Sequence, residues 1–317
     1  MRRILLDTDL AMGAPGSDID DGFALAMALA DPELSVELVT TVNGNTDVDN
    51  ATVLSRQLLD RLGRPDIPVV RGAAIPLSPP PRGQDAVSRR DSSAEPAAWS
   101  GRRAAPEIVD RVMTAPGELT LVAIGPLTNV ALALLLEPEL AGAVREIVVM
   151  GGVFGEHTNI AAMPGEFNIW TDPHAAAVVL ASGARLRFVG LDVTRQVRLT
   201  REHAAAMAQG GQAFGAFAGQ CTLEWIAHHG SWHPGDPLEQ DSCAMHDSLA
   251  VAVVTRPDLV TWRAAHVAVE TSSPVTRGVT VADFLTFAQP PPQNCHVATA
   301  VDVDGFTDLF VDRVANL

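Results

Sequence analysis

Apolar positions in this chain fall in short β-branched runs, separated by stretches with helical spacing. The runs Arg3–Asp7, Val36–Val42, Val69–Arg71, Leu119–Ile124, Glu146–Met150 and Leu186–Leu191 read as strands. Phe23–Ala30 reads as a helix stopped by Asp31-Pro32. Asn50–Leu62 reads as another, with Leu54, Leu58 and Leu62 four apart on one face. A third, Asn129–Leu136, runs between Pro126 and Pro138. Such alternation predicts right-handed βαβ units in an α/β fold: an open, mostly parallel, Rossmann-like sheet flanked by helices. With no internal repeat and no linker, residues 1–317 read as a single domain.

In sheets of this kind ligands bind beyond the carboxyl ends of the strands. Polar signals gather there. Asp7 and Asp9 end the first strand and Asn43-Gly44-Asn45 the second. Gly125-Pro126-Leu127-Thr128-Asn129 follows the fourth and Gly151-Gly152 the fifth. Four such placements predict one cleft. Two segments read as surface loops of the kind that bind or cover ligands: Pro79–Arg103, and His228–Gly235 with its imidazoles and indole.

The first strand is the richest in chemistry. Asp7, Asp9, Asp18, Asp20 and Asp21 lie close together, the last two just before an apolar helix. Helix capping and the helix dipole account for one or two of these acids. They do not account for the strand-end pair as well. A hard divalent cation with oxygen ligands resolves the mutual repulsion.

Composition narrows the partners. The 38 acids and 22 bases of the 317 residues give a net charge of −16, which disfavours nucleic-acid backbones and anionic membranes as partners but not nucleosides. The three cysteines, Cys221, Cys243 and Cys295, fit no zinc or redox spacing and read as reduced thiols of a cytoplasmic protein. The apolar stretch behind Arg2-Arg3 is too short for a signal-peptide core, and no segment reads as a membrane span.

Further motifs are Glu166-Phe167-Asn168, Asp172-Pro173, Gly190-Leu191-Asp192-Val193-Thr194 and His246-Asp247. Glu166 and Asn168 project alike if extended, and would then grip vicinal hydroxyls. Together with Asp7-Thr8-Asp9, Asp18-Ile19-Asp20-Asp21, Gly44-Asn45, Pro76-Leu77, Gly125–Asn129 and Met150-Gly151-Gly152, these motifs make the chain resemble the inosine-uridine-preferring nucleoside hydrolase family from about residue 3 to the C-terminus.

That resemblance implies a ribonucleoside N-ribohydrolase with Ca²⁺ at the bottom of the cleft, held by Asp9, Asp21, Asp247 and the backbone carbonyl of Ile124. It implies that Asp20, Asn45, Asn159, Glu166 and Asn168 hold the ribose, with Phe167 packed nearby and Asp7 in support. Asp9 would accept a proton from a calcium-bound water attacking C1′, through an oxocarbenium-like transition state. His246 would donate to the leaving base, with His228, His229 and His233 as weaker candidates, and Trp225 or Trp232 would stack on that base. A homodimer or homotetramer is the family's usual assembly.

The chain departs from the family pattern in three places. The first loop, Leu10–Asp18, is long and brings Asp18 as an extra acid. Met163-Pro164-Gly165 shifts the spacing from Asn159 to Glu166. Arg71-Gly72 stands where many members have His-Gly, and tyrosine is absent, so the base side looks rewritten. A phosphatase built on Asp7 and Asp9 would need a downstream lysine, and the chain has none. A non-catalytic nucleoside- or ribose-binding protein on the same scaffold is the alternative.

Overall fold

The computed structural model describes residues 1–79, 101–155, 159–285, 289–314 and 317. Most of the expected Pro79–Arg103 loop therefore lies outside the described residues. The strands β1 (Arg2–Thr8), β2 (Leu34–Thr41), β3 (Val69–Arg71), β4 (Leu119–Ala123), β5 (Glu146–Met150) and β6 (Leu186–Val189) match the six expected runs to within two residues at either end. They pair in parallel in the order β3-β2-β1-β4-β5-β6. Two further strands extend the sheet. Cys295–Val301 runs parallel to β6, and Val260–Ala265 is antiparallel at the edge beyond it.

In β1 and β5 residues are buried without alternation because both faces are covered, and successive residues join opposite cores. In β1, Ile4 and Leu6 join one apolar core while Leu5 joins the other. In β5, Val148 and Met150 face the first core and Ile147 and Val149 the second. Helices on each side supply the remainder, as a parallel sheet requires.

Strand order reverses between β1 and β4, since β2 lies on one side of β1 and β4 on the other. A crevice opens at the carboxyl ends of strands at such a switch point. Asp7 and Asp9 stand at the end of β1, and Ile124 follows the last residue of β4. The fold thus brings the acidic motif and the proposed carbonyl ligand to one place.

Candidate active site

Asp7 sits at the end of β1 with its Oδ1 accepting hydrogen bonds from Asn129 Nδ2 at 2.8 Å and from the Thr40 hydroxyl. Burial raises its pKa to about 7 against the pull of these two bonds.

Asp9 lies just beyond the strand and is almost completely enclosed. Its Oδ2 accepts the backbone N–H of Asn45 at 2.7 Å. A Cβ at Gly44 would overlap that oxygen, and one at Gly125 would come within 2.8 Å of Oδ1. Two glycines from two loops therefore make the space the carboxylate fills. Oδ1 is buried without a hydrogen-bond partner among the described residues.

Asp20 and Asp21 open the helix Asp20–Ala30. Neither caps it: Ile19 occupies the cap position and makes no side-chain cap bond. Asp21 accepts from the Thr8 hydroxyl and from Asn45 Nδ2 at 3.0 Å. Asp20 Oδ2 accepts the backbone N–H of Asp247 at 3.3 Å, a link across 227 positions of sequence. Carboxylate oxygens of Asp20, Asp21 and Asp247 lie within 4.8 Å of one another, all three residues buried. Burial first, then the charges of the neighbouring acids, holds Asp9, Asp20 and Asp247 well above the ordinary carboxylate range. Asp21 is pushed up to about 7, mainly by burial. A group of buried acids that resist ionisation is what a cation site looks like before its charge is balanced.

The carbonyl of Ile124 accepts Asn168 Nδ2 at 2.9 Å, which places Asn168 at the edge of the acidic group. Glu166 and Asn168 are not extended together. Glu166 caps the short helix Phe167–Thr171, and Asn168 lies inside that helix. Glu166 Oε1 accepts the N–H of Asn168 at 2.8 Å, and Oε2 accepts those of Gly152 and Ile169, each at 3.1 Å. The extended pairing read from their spacing is thus corrected: the backbone N–H groups of the helix start claim the Glu166 carboxylate. Its pKa is nevertheless raised to about 7 because burial outweighs those bonds. Phe167 is half-buried. Asn159 is on a neighbouring turn, its Oδ1 accepting Arg195 Nη2 at 2.6 Å.

His246 is the first residue of the helix His246–Thr255, beside Asp247. Its Nδ1 lies 2.7 Å from Thr194 Oγ1. Burial and the charges of Arg195 and Arg198 lower its pKa to about 3, so the imidazole is neutral at physiological pH.

Trp225 is buried in the helix Ala213–Gly230. That helix corrects the expected loop, because His228, His229 and Gly230 form its last turn. The Trp225 ring lies 6.1 Å from His228, 5.2 Å from His229 and 5.9 Å from Trp232, centroid to centroid. His229 faces Glu239 at 3.4 Å, while Trp232 is exposed. The histidines are thus packed into an aromatic cluster next to the site rather than among its acids.

The long first loop folds inward. Leu10, Ala11 and Met12 are buried in the core. Gly13 and Gly16 have positive φ, and Cβ atoms there would meet Phe217 and His228 of the Trp225 helix, each at 3.3 Å. Asp18 Oδ1 accepts the N–H of Ile19 at 2.7 Å, and its carboxyl group hydrogen-bonds with that of Asp20. Residues without an expected role also shape the site: Thr8, Thr40, Thr194 and Asn129 as hydrogen-bond partners, and Gly44 and Gly125 as space. All but Thr40 lie in motifs singled out in the sequence, but only the geometry gives each its place.

The family model for inosine-uridine preferring nucleoside hydrolases matches residues 4–308. The chain belongs to this family. A non-specific ribonucleoside hydrolase RihC of Escherichia coli (strain SMS-3-5 / SECEC) is 38% identical over 324 residues, covering 98% of each chain. Among solved structures, a plant nucleoside hydrolase, the PpNRh1 enzyme, superposes with a TM-score of 0.85 at 27% identity, over 99% of this chain and 98% of that one. A purine-preferring ribonucleoside hydrolase from Gardnerella vaginalis superposes with a TM-score of 0.83 at 29% identity, with the same coverage. This family member is accordingly a hydrolase that cleaves the N-glycosidic bond of nucleosides. Among the described residues no helix is long and apolar enough to cross a membrane.

Proposed function

We propose that this enzyme acts on ribonucleosides in a calcium-dependent reaction, with Asp9, Asp21, Asp247 and the Ile124 carbonyl holding the ion. The observation that carries the reading is Asp9 Oδ1, buried without a described partner beside the Asp21 carboxylate. An all-oxygen donor set of this kind suits a hard dication. Bound there, the ion supplies the missing positive charge and acidifies water within its reach.

The chain's own groups do the rest. Asp9, held on one oxygen by Asn45, is free on the other to take a proton from the attacking water. Asp20, Asn45, Asn159, Glu166 and Asn168 bind the ribose hydroxyls and fix the ring for attack at C1′. Phe167 packs against the sugar. Negative charge around C1′ favours the oxocarbenium-like transition state. His246 donates a hydrogen bond to the departing base, and Trp225 forms part of the base-side wall.

The structural relatives bear names with different base preferences, and the altered base side here leaves purine against pyrimidine to experiment. Three free cysteines accord with a cytoplasmic setting. A homodimer or homotetramer is part of the same proposal, tested by light scattering. The deciding assay measures free ribose from a panel of purine and pyrimidine ribonucleosides, with and without a chelator. Ribose release that stops on chelation and returns with Ca²⁺ supports the reading. Calorimetric binding with no ribose from any nucleoside overturns it in favour of a binding protein.

A further inference from the structure

The turn that carries Asn159 is anchored at Pro164 and Gly165, both buried, with Gly165 N–H donating to Arg277 O at 3.2 Å, and not at its tip. Its backbone closes through Asn159 N–H to Pro164 O at 2.9 Å and the Ile160–Met163 pair, at 3.2 and 3.0 Å. Ile160, Ala161 and Ala162 are exposed, so no buried apolar side chain of theirs fixes the turn. Met163-Pro164-Gly165 also gives this turn its shifted spacing to Glu166. A side chain meant to bind sugar from such a turn needs a tie to something rigid.

Arg195 supplies one. It follows directly on the short helix Leu191–Thr194, whose Thr194 holds His246 and whose Asp192 accepts the N–H groups of Phe154 and Gly155 at 2.8 and 2.7 Å. Its Nη2 donates to Asn159 Oδ1 at 2.6 Å. A guanidinium has donors and no acceptor, so only the oxygen of an amide can face it. That settles the orientation of the Asn159 amide: oxygen to Arg195, amino group away from it. Among the described residues the amino group makes one long bond, 3.4 Å to Gly165 O, and an amide carries a second hydrogen for another acceptor.

We propose that Arg195 is a positioning residue, which locks the Asn159 side chain so that its amino group donates to a ribose hydroxyl oxygen. The proposal rests on the reading of Asn159 as a sugar contact. The positive charge also lies close enough to Glu166 to favour its carboxylate, so one guanidinium serves two of the groups assigned to the sugar.

The test is the kinetics of ribose release from inosine and uridine by the full-length calcium-loaded enzyme. The variants are N159A, R195Q, R195K and the double variant N159A/R195Q, each checked by thermal melting. N159A and R195Q are expected to raise KM about tenfold each while kcat moves less than about threefold. The double variant is expected to be no worse than N159A alone, because Arg195 acts through Asn159. R195K keeps the charge without the planar fork and should recover only part of the loss, which carries the test if R195Q melts early. The proposal is overturned if R195Q raises KM by the same factor with and without Asn159. It is equally overturned if R195Q and R195K both keep the wild-type KM while N159A raises it. Wild-type KM in N159A would overturn the sugar contact and this proposal together, while chelator-sensitive ribose release would still stand.

Discussion

The hydroxyl of Thr194 lies 2.7 Å from Nδ1 of His246 and so occupies one of the two ring nitrogens. His246 is neutral, its pKa lowered to about 3 chiefly by burial. A neutral imidazole carries one hydrogen. If Thr194 donates to Nδ1, the hydrogen sits on Nε2, available to a departing base. Thr194→Val removes that control. Its kcat for a ribonucleoside is expected to fall about a hundredfold, and Thr194→Ser to restore most of it. A ribosyl substrate with an acidic leaving group such as p-nitrophenol should be cleaved at nearly the wild-type rate. An equal loss on both substrates would count against the assignment.

Under the proposed mechanism Asp9 combines two burdens, proton acceptance and like-charge repulsion with Asp21. Asp9→Asn is expected to lower kcat about a thousandfold or more. In chelator the same variant should melt about 2 °C above the chelated wild type, since one repelling carboxylate is gone. Circular dichroism, melting curves and a ribose assay check both halves; a variant that is active or less stable refutes them.

Gly44 lies against the carboxylate of Asp9, leaving no room for a methyl group. Gly44→Ala is expected to displace Asp9 and reduce turnover about a hundredfold while the chain stays folded. Calcium titration by calorimetry should show weakened binding. Unchanged affinity would mean that the pocket gives way elsewhere.

Calcium should also act as a stabiliser. An ion bound only by the folded chain, at a hundred times its dissociation constant, adds about 2.7 kcal/mol. Melting in a calcium series against excess chelator measures this. An unchanged melting temperature would refute a resident ion.

Glu166 gives a pH prediction with a definite sign. Its pKa is about 7 in the folded chain, raised by burial from the ordinary 4.5. Between those values the folded state keeps a proton that the unfolded state has released. The contribution of Glu166 is therefore complete below pH 4.5 and lost as pH rises to about 7. Glu166→Gln should flatten the fall in metal-free stability over that window, leaving the share due to the other buried acids, Asp7, Asp9, Asp18, Asp20, Asp21 and Asp247, whose pKa values are raised as well. Denaturant midpoints at several pH values report it; equal slopes in both proteins would refute it.

The central strands were legible because each is a compact apolar run bounded by turn formers, and because acids at the end of β1 disclosed the cleft. Val260–Ala265 and Cys295–Val301 were harder to see. The second mixes Val297, Thr299 and Val301 with a histidine and two alanines, and it pairs with β6 on one side and Val260–Ala265 on the other. The helix Ala213–Gly230 hides its period behind glycines, alanines and scattered aromatics, so its last turn reads as loop. Glu166 misled because glutamate is an uncommon cap, and its neighbour Asn168 suggested a strand-like pair. The metal ligands proposed from motif order converge in space as far as Asp21 and Asp247 are concerned, with Asp20 beside them.

The bond from Asp20 to the backbone of Asp247 spans 227 positions, and this gives the site a timetable. At roughly 5–20 residues per second, the ribosome finishes the first acids about ten to forty-five seconds before the last one. Throughout that interval the strand-end acids have neither Asp247 nor the helix that carries it. The nascent chain therefore lacks one carboxylate of the buried acidic cluster until its C-terminal part has docked.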